Sequence, residues 1–321
     1  MEQTNWPFKR AIVTGGAGFI GSHIVDALVE RGVHAISLDN YSSGSRINLA
    51  HLQGNPLFQE IDCDIRNQEA LAFYLDGVDI IFHNACAKKV ACNADPFLDL
   101  DVNAKGTLCL LEVAVAKHVR KFVHASTGSV YGQPVKWPQD ENHPTNPTTF
   151  YGVSKLAGEK YVQLFHDQYG LDTTILRYFH VYGPRQEDTG AGVVSIFIKR
   201  LLEGKPPVIY GDGSQQRCFT YVKDVVDANL HVAVTPRCSG RVYNCACEGS
   251  VTVKALALVL QKLTHTEHLE PIHEGWQSGE VKQFDVDCSK LQYVGYHCAT
   301  LRADGLAFTV GYLQGKVDGE A

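Results

Sequence analysis

The stretch that most limits the fold is a glycine turn set between a short apolar run and an amphipathic segment. Arg10-Ala-Ile-Val-Thr14 is β-branched and apolar, Gly15-Gly-Ala-Gly-Phe-Ile-Gly21 follows at once, and a helical pattern takes over. Strand, glycine turn and helix in direct succession is the context in which a Gly-rich match carries information. Gly15 permits the tight turn, Gly18 lets a pyrophosphate approach the backbone, and Gly21 lets the helix pack closely on the strand. The helix start, at Phe19 and Ile20, offers unpaired N–H groups and a positive dipole end to the phosphates. The next strand, Ala35-Ile-Ser-Leu-Asp39, ends in an acid eighteen residues past Gly21. A carboxylate there accepts the hydroxyls of an adenosine ribose and repels a 2′-phosphate, so the expected cofactor is NAD rather than NADP.

The alternation continues with strands near Leu57–Ile61, Asp79–His83 and Lys121–Ser126, separated by helices near Gln68–Leu75 and about Asp95–Lys117. Strands alternating with helices predict an α/β fold, a doubly wound parallel sheet covered on both faces. Ligands of such sheets bind beyond the carboxyl ends of the strands. The residues to watch are therefore Asp64-Ile65, Asn84-Ala-Cys-Ala87, Ser126-Thr-Gly-Ser129 and Tyr178-Phe-His180. After about Asp188 the character changes, with Pro206-Pro207, Gly211-Asp-Gly213 and shorter elements. The expected division is a Rossmann-type domain over residues 1–188 and a smaller α/β lobe over 189–321 that interleaves with it.

One further stretch points to chemistry. Tyr151-Gly-Val-Ser-Lys155 opens a helix expected to run to about Tyr169, with Pro147 and a Thr-rich turn upstream as start signals. Tyr and Lys four residues apart share a helix face, so the ammonium reaches the phenol. A neighbouring cation favours the phenolate, which turns a group that ordinarily titrates near pH 10 into a general base. Taken alone, the same spacing is common in amphipathic surface helices.

Composition removes several other readings. A 321-residue chain with 45% hydrophobic and 20% charged residues has the material for a large core. A net charge of −6 argues against nucleic acid or an anionic membrane as partner. No apolar run approaches a membrane span, and the first residues lack the pattern of a signal peptide. The ten cysteines are scattered, with no CxxC and no zinc-finger spacing. No metal is expected; Cys245-Ala-Cys247 reads as small core residues, and reduced cysteines imply a cytoplasmic protein.

Together these residues resemble the extended short-chain dehydrogenase/reductase family, specifically its nucleotide-sugar epimerases and dehydratases. The resemblance runs from Ile12 to about Tyr296. It adds Asn103-Ala-Lys-Gly-Thr107, Arg177-Tyr-Phe-His-Val-Tyr-Gly-Pro-Arg185, Gly211-Asp-Gly-Ser-Gln-Gln-Arg217 and Val242-Tyr-Asn244 to the motifs above. It implies that Thr127, Tyr151 and Lys155 are catalytic, with Thr127 sharing the proton of a sugar 4-hydroxyl with Tyr151. Lys155, with the positive nicotinamide ring, would depress the Tyr151 pKa. It further implies that NAD is held by the Gly15–Gly21 turn, Asp39, Asn40, Asp64, Ile65, Ala85, Lys88, Asn103 and Tyr178, alongside Tyr151 and Lys155. A UDP-sugar would meet Ser126, Ser129, His180, Val193, Arg217 and Phe284, with Arg217 gripping the diphosphate. The family commonly pairs subunits through the helix at Tyr151 and the one before Lys117, so a homodimer is expected.

The departures narrow the reaction. Gly128 and Ser129 stand where the 4,6-dehydratases carry an Asp-Glu pair, which disfavours that elimination. His180 replaces a usual Asn, and either an acid–base role or a neutral hydrogen-bonding role is open to it. Gln277 replaces a usual arginine, with His273 and Lys282 as candidate substitutes, Cys218 replaces a usual Asp, and Phe284 is bulky where room is needed to turn an N-acetylated sugar. The leading expectation is 4-epimerisation of a UDP-hexose or UDP-hexosamine. The alternatives are a UDP-N-acetylglucosamine 5,6-dehydratase of the tunicamycin type and a catalytically silent NAD-binding module.

Overall fold

The computed structural model describes residues 6–186, 192–276 and 282–318. The expected boundary at Asp188 and the position of Gln277 lie outside these residues. Seven strands form one parallel sheet: β1 (Arg10–Thr14), β2 (His34–Asp39), β3 (Phe58–Asp62), β4 (Ile80–His83), β5 (Lys121–Thr127), β6 (Asp172–Tyr178) and β7 (Arg241–Cys245). Their order across the sheet is β7-β6-β5-β4-β1-β2-β3, the doubly wound arrangement expected. β1, β4 and β5 are almost wholly buried, as parallel strands covered on both faces must be. Two apolar clusters sandwich the sheet, one including Ile24, Leu28, Val225 and Leu230, the other Leu71, Leu110, Val162 and Phe165.

Register decides what meets at the carboxyl edge. Thr14 pairs with Leu38 on one side and His83 on the other, so the glycine turn, Asp39 and Asn84 emerge together. Thr127 pairs with Tyr178, which in turn pairs with Cys245, forming a second group at that edge.

Helices α1 (Phe19–Glu30), α2 (Gln68–Tyr74), α3 (Gly106–Ala116) and α4 (Phe150–Tyr169) belong to the first half of the chain. α4 starts at Thr149, whose Oγ1 accepts from the Gly152 N–H at 3.1 Å, and stops at Gly170 in the left-handed region. The single helix expected over Asp95–Lys117 is not continuous. Pro96–Asp99 is α-helical, Leu100–Lys105 is a π-turn, and α3 follows. The extra residue of the π-turn carries Asn103 inward, where its side chain is fully engaged. A short helix at Lys89–Ala94 had no sequence expectation.

The second half of the chain builds α5 (Val193–Leu202), α6 (Val222–Val234), α7 (Val253–Leu263) and α8 (Arg302–Asp318). α5, α7 and α8 enclose their own core around Phe197, Leu256 and Leu306, whereas α6 and β7 return to the large sheet. The smaller lobe is thus threaded through the larger one. Among the described residues no helix is long and apolar enough to cross a membrane.

Candidate active site

The glycine turn leaves no room for side chains. Gly15 has φ +66°, and a Cβ there would lie 2.7 Å from the Ala85 nitrogen; one on Gly21 would lie 2.1 Å from the Gly15 oxygen. The backbone of α1 is therefore open to a ligand at its first turn. Beneath the turn the buried Asp39 carboxylate accepts from the Ala17 N–H at 3.0 Å and the Tyr41 N–H at 2.8 Å. Its charge is fixed in place before any ligand arrives. Asp64 accepts from Asn40 at 2.9 Å and from Arg66 at 2.9 and 2.7 Å, and these bonds from Arg66 hold its pKa down at about 2.

These groups line one cleft of about 280 Å³ along the carboxyl edge. Gly15, Gly18, Phe19, Ile20, Gly21, Asp39, Asn40, Asp64, Ile65, Ala85, Lys88, Tyr151, Lys155 and Tyr178 all border it, as does Ser126. A side-chain-free turn at a helix start, facing a fixed carboxylate, fits a dinucleotide. Asn103 is buried beside them. It accepts from the Ala87 N–H at 2.8 Å and donates to Asp99 at 2.6 Å, and Ser154 Oγ donates to the same Asp99 oxygen at 2.6 Å. Its place is to tie the loop after β4 to α4, and so to hold Ala87 and Lys88 at the rim. Sequence reasoning overlooked Ser42, Ser43 and Gly44, which also border the cleft. The signal was Gly44, where a Cβ would lie 2.7 Å from Asp39 Oδ2.

At the far end of the cleft Thr127, Tyr151 and Lys155 converge. Thr127 hydrogen-bonds the Tyr151 phenol, and its Oγ1 also accepts from the Ser129 N–H at 3.1 Å. The Tyr151 side chain is partly open to the cleft while Lys155 is buried. Without the nicotinamide ring that shares in the expected lowering, burial governs the phenol. Desolvation dominates and pushes Tyr151 well above its ordinary value, with the Cys86 and Cys92 thiols adding to it and the Thr127 bond opposing. Burial also pushes the Lys155 ammonium down.

Below them lies a network that sequence reasoning missed. Glu159, one turn beyond Lys155 on α4, is bound by Arg177 of β6 and accepts from Ser126 Oγ. His83 bridges Thr14 at 2.7 Å and Thr107 at 2.9 Å. Because Thr107 spends its own proton on the Asn103 carbonyl, His83 Nε2 must be the donor and Nδ1 the acceptor.

The expected substrate residues fall into two groups. Phe284 packs edge-on against His180 with centroids 4.8 Å apart, and the Arg217 guanidinium lies 5.2 Å from the centre of the Phe284 ring. Burial, with the Arg217 charge adding to it, lowers His180 to about 3, so the imidazole is neutral at physiological pH. This removes it as an acid and leaves a feeble base. Ser129 sits beside Thr127, whereas Val193 starts α5 and packs on the core of the smaller lobe. Gly128 touches Phe179 so closely that a Cβ would lie 2.3 Å from the ring. Any side chain at position 128 would have to displace that phenyl ring.

The chain matches the NAD dependent epimerase/dehydratase family over residues 11–246. It is 37% identical over 309 residues to a putative UDP-glucose 4-epimerase of Methanocaldococcus jannaschii, covering 94% of this chain and 98% of that one. Among solved structures it resembles the Thermotoga maritima UDP-glucose 4-epimerase with UDP-glucose, at TM-score 0.90, 36% identity, and 96% and 99% coverage. A Streptomyces venezuelae dTDP-glucose 4,6-dehydratase with NAD bound superposes at TM-score 0.89, with 30% identity and coverage of 97% and 98%.

Proposed function

The chain belongs to the NAD-dependent epimerase/dehydratase family and is an enzyme, and from that premise we propose that it interconverts the C4 epimers of a UDP-hexose. Bound NAD supplies reversible oxidation at C4. Thr127 hydrogen-bonds the 4-hydroxyl and passes its proton toward Tyr151, which acts as general base in one direction and acid in the other. Lys155, held under Tyr151 by the buried face of α4, stabilises the phenolate. Arg217 presents a planar fork to the diphosphate on the side of the smaller lobe.

The observation that carries this reading is the absence of an acid–base pair beside Thr127. Gly128 is pressed against Phe179, and Ser129 is a hydroxyl. The carboxylates whose charges reach Lys155 are Glu159 and Asp99. The first is paired with Arg177, and the second accepts from Asn103 and Ser154. His180 is too weak a base to remove H5 readily. Reversible oxidation at C4 needs none of these groups, whereas the usual 4,6-elimination of water uses a carboxyl pair beside the threonine.

Phe284 supports a second reading. Its ring, packed against His180, occupies space that an N-acetylated sugar would need to turn over. A hexose without that group fits the epimerase; a UDP-N-acetylglucosamine held without turning fits a 5,6-dehydratase. Incubating the enzyme with UDP-glucose and, separately, UDP-N-acetylglucosamine in deuterated water tests both by NMR. UDP-galactose from the first is the expected product, and an alkene signal from the second would favour the other reading.

A homodimer through α4 and the helical segment before Lys117 belongs to the same proposal. Phe97, Leu100, Val153 and Leu164 are large apolar side chains left exposed on these elements. Isolated exposed apolar residues are ordinary, but several on two adjacent helices suit a partner surface.

A further inference from the structure

Away from the cleft, three residues remote in sequence come together where the smaller lobe meets the large sheet. Cys247 follows β7, Cys298 lies in the loop before α8, and Asp224 is in the first turn of α6. The two sulfurs and a carboxylate oxygen all lie within 4.8 Å of one another. Both thiols line a cleft of about 350 Å³ open to solvent. Asp224 is buried, and its two oxygens have different tasks. Oδ1 accepts from the Ala299 N–H at 2.9 Å and the Thr300 N–H at 3.1 Å, whereas Oδ2 is directed at Cys247 Sγ, 3.7 Å away.

From this geometry we infer that Cys247, Cys298 and Asp224 form a binding site for a soft divalent cation of the zinc class. Two thiolates and one carboxylate are a zinc ligand set, and solvent in the adjoining cleft completes four-coordination. The two backbone N–H bonds to Oδ1 fix the carboxylate as outer-shell partners do for metal ligands, leaving Oδ2 to coordinate. Binding breaks two S–H bonds, forms two sulfur–metal bonds and releases two protons to solvent, with no change of oxidation state. A disulfide is the competing use of two adjacent thiols, and the environment opposes it. It would remove the donor facing Asp224 Oδ2 and the donor that Cys298 gives to the Ala246 carbonyl at 3.5 Å, leaving a buried carboxylate oxygen without a partner. The metal replaces the first of these contacts with a bond. Its effect would be to staple the loop after β7, the loop before α8 and the start of α6.

Cobalt(II) and zinc added to the reduced, metal-stripped full-length protein test this. One equivalent of cobalt is expected to give a near-ultraviolet thiolate-to-cobalt band with tetrahedral visible bands, and zinc is expected to bleach both. Zinc should also raise the thermal midpoint by several degrees, since it binds the folded state alone. Cys247→Ser and Cys298→Ser should each remove the thiolate band and the thermal shift while circular dichroism confirms folding; Cys109→Ser, on α3, should keep both. Absence of the band in the native protein overturns the assignment, as does a band of undiminished strength in both serine variants. Recovery of Cys247 and Cys298 as a disulfide from protein purified with zinc and reductant overturns it too.

Discussion

Arg177 on β6 donates to Glu159 on α4 through two parallel bonds, Nε to Oε1 at 2.9 Å and Nη2 to Oε2 at 2.7 Å, with both side chains out of solvent. The pair fastens the helix that carries Tyr151 and Lys155 to the strand that ends beside Thr127. Arg177 also reaches the Tyr131 hydroxyl at 2.8 Å, and that hydroxyl donates to Asn244 at 2.6 Å. Removing one charge of such a pair leaves the other buried without compensation. Glu159→Gln is expected to destabilise the fold by about 3–5 kcal/mol in denaturant unfolding. Replacing both residues with Met should cost less than Glu159→Gln alone.

The choice of dinucleotide is assigned to Asp39 in this proposal. Its carboxylate is held by two backbone N–H groups and borders the cleft beside the glycine turn. The enzyme is expected to bind NAD far more tightly than NADP by calorimetry. Asp39→Ala should weaken NAD and narrow the difference. Equal affinities in the native protein would remove this role from Asp39.

Tyr151 carries a pH dependence whose sign follows from its surroundings. Burial pushes the phenol above its ordinary value of 10.0, so in the protein alone it stays protonated at neutral pH. Oxidised NAD brings a positive ring beside it and favours the phenolate. One tyrosine should therefore ionise at lower pH with NAD than without, seen as phenolate absorbance, and turnover should rise with pH through that ionisation. Tyr151→Phe should abolish the NAD-dependent absorbance change and cost about 10²–10⁴-fold in rate while retaining NAD.

His180 is held neutral by burial and by Arg217, with its pKa lowered to about 3. It should contribute no ionisation to the rate profile between about pH 5 and 9. His180→Asn is expected to follow the native pH profile with a rate within a few-fold. Loss of a limb near neutral pH in that variant would restore an acid–base role.

What the sequence disclosed was local. The glycine turn, Asp39 and the Tyr151–Lys155 spacing each depend on residues close in the chain, and all lie at the cleft. The hydrogen bonds of Asn103 to Ala87 and Asp99 were hidden because it sits in a π-turn, which no periodicity announces. Glu159 looks like any helix-surface acid until β6 brings Arg177 to it. The burial of Tyr151 was not legible, because spacing reports proximity to Lys155 and says nothing of desolvation. Cys247 was read with Cys245 as core; Cys245 is, but Cys247 faces a cleft and meets Cys298 from fifty residues on.

Under the proposed function the sugar reacts at C4 and nowhere else. An epimerase removes and restores hydrogen at C4, leaving H5 untouched, whereas a dehydratase must break the C5–H bond to expel the 6-hydroxyl. Gly128 against Phe179, Ser129, the engaged Glu159 and Asp99, and the neutral His180 supply no free carboxyl pair for that step beside Thr127. The most direct measurement follows UDP-glucose deuterated at C5 by NMR during turnover. UDP-galactose that retains the whole label is expected, formed at the same rate as from unlabelled substrate. Loss of the C5 label, with an alkene signal in the product, would contradict it.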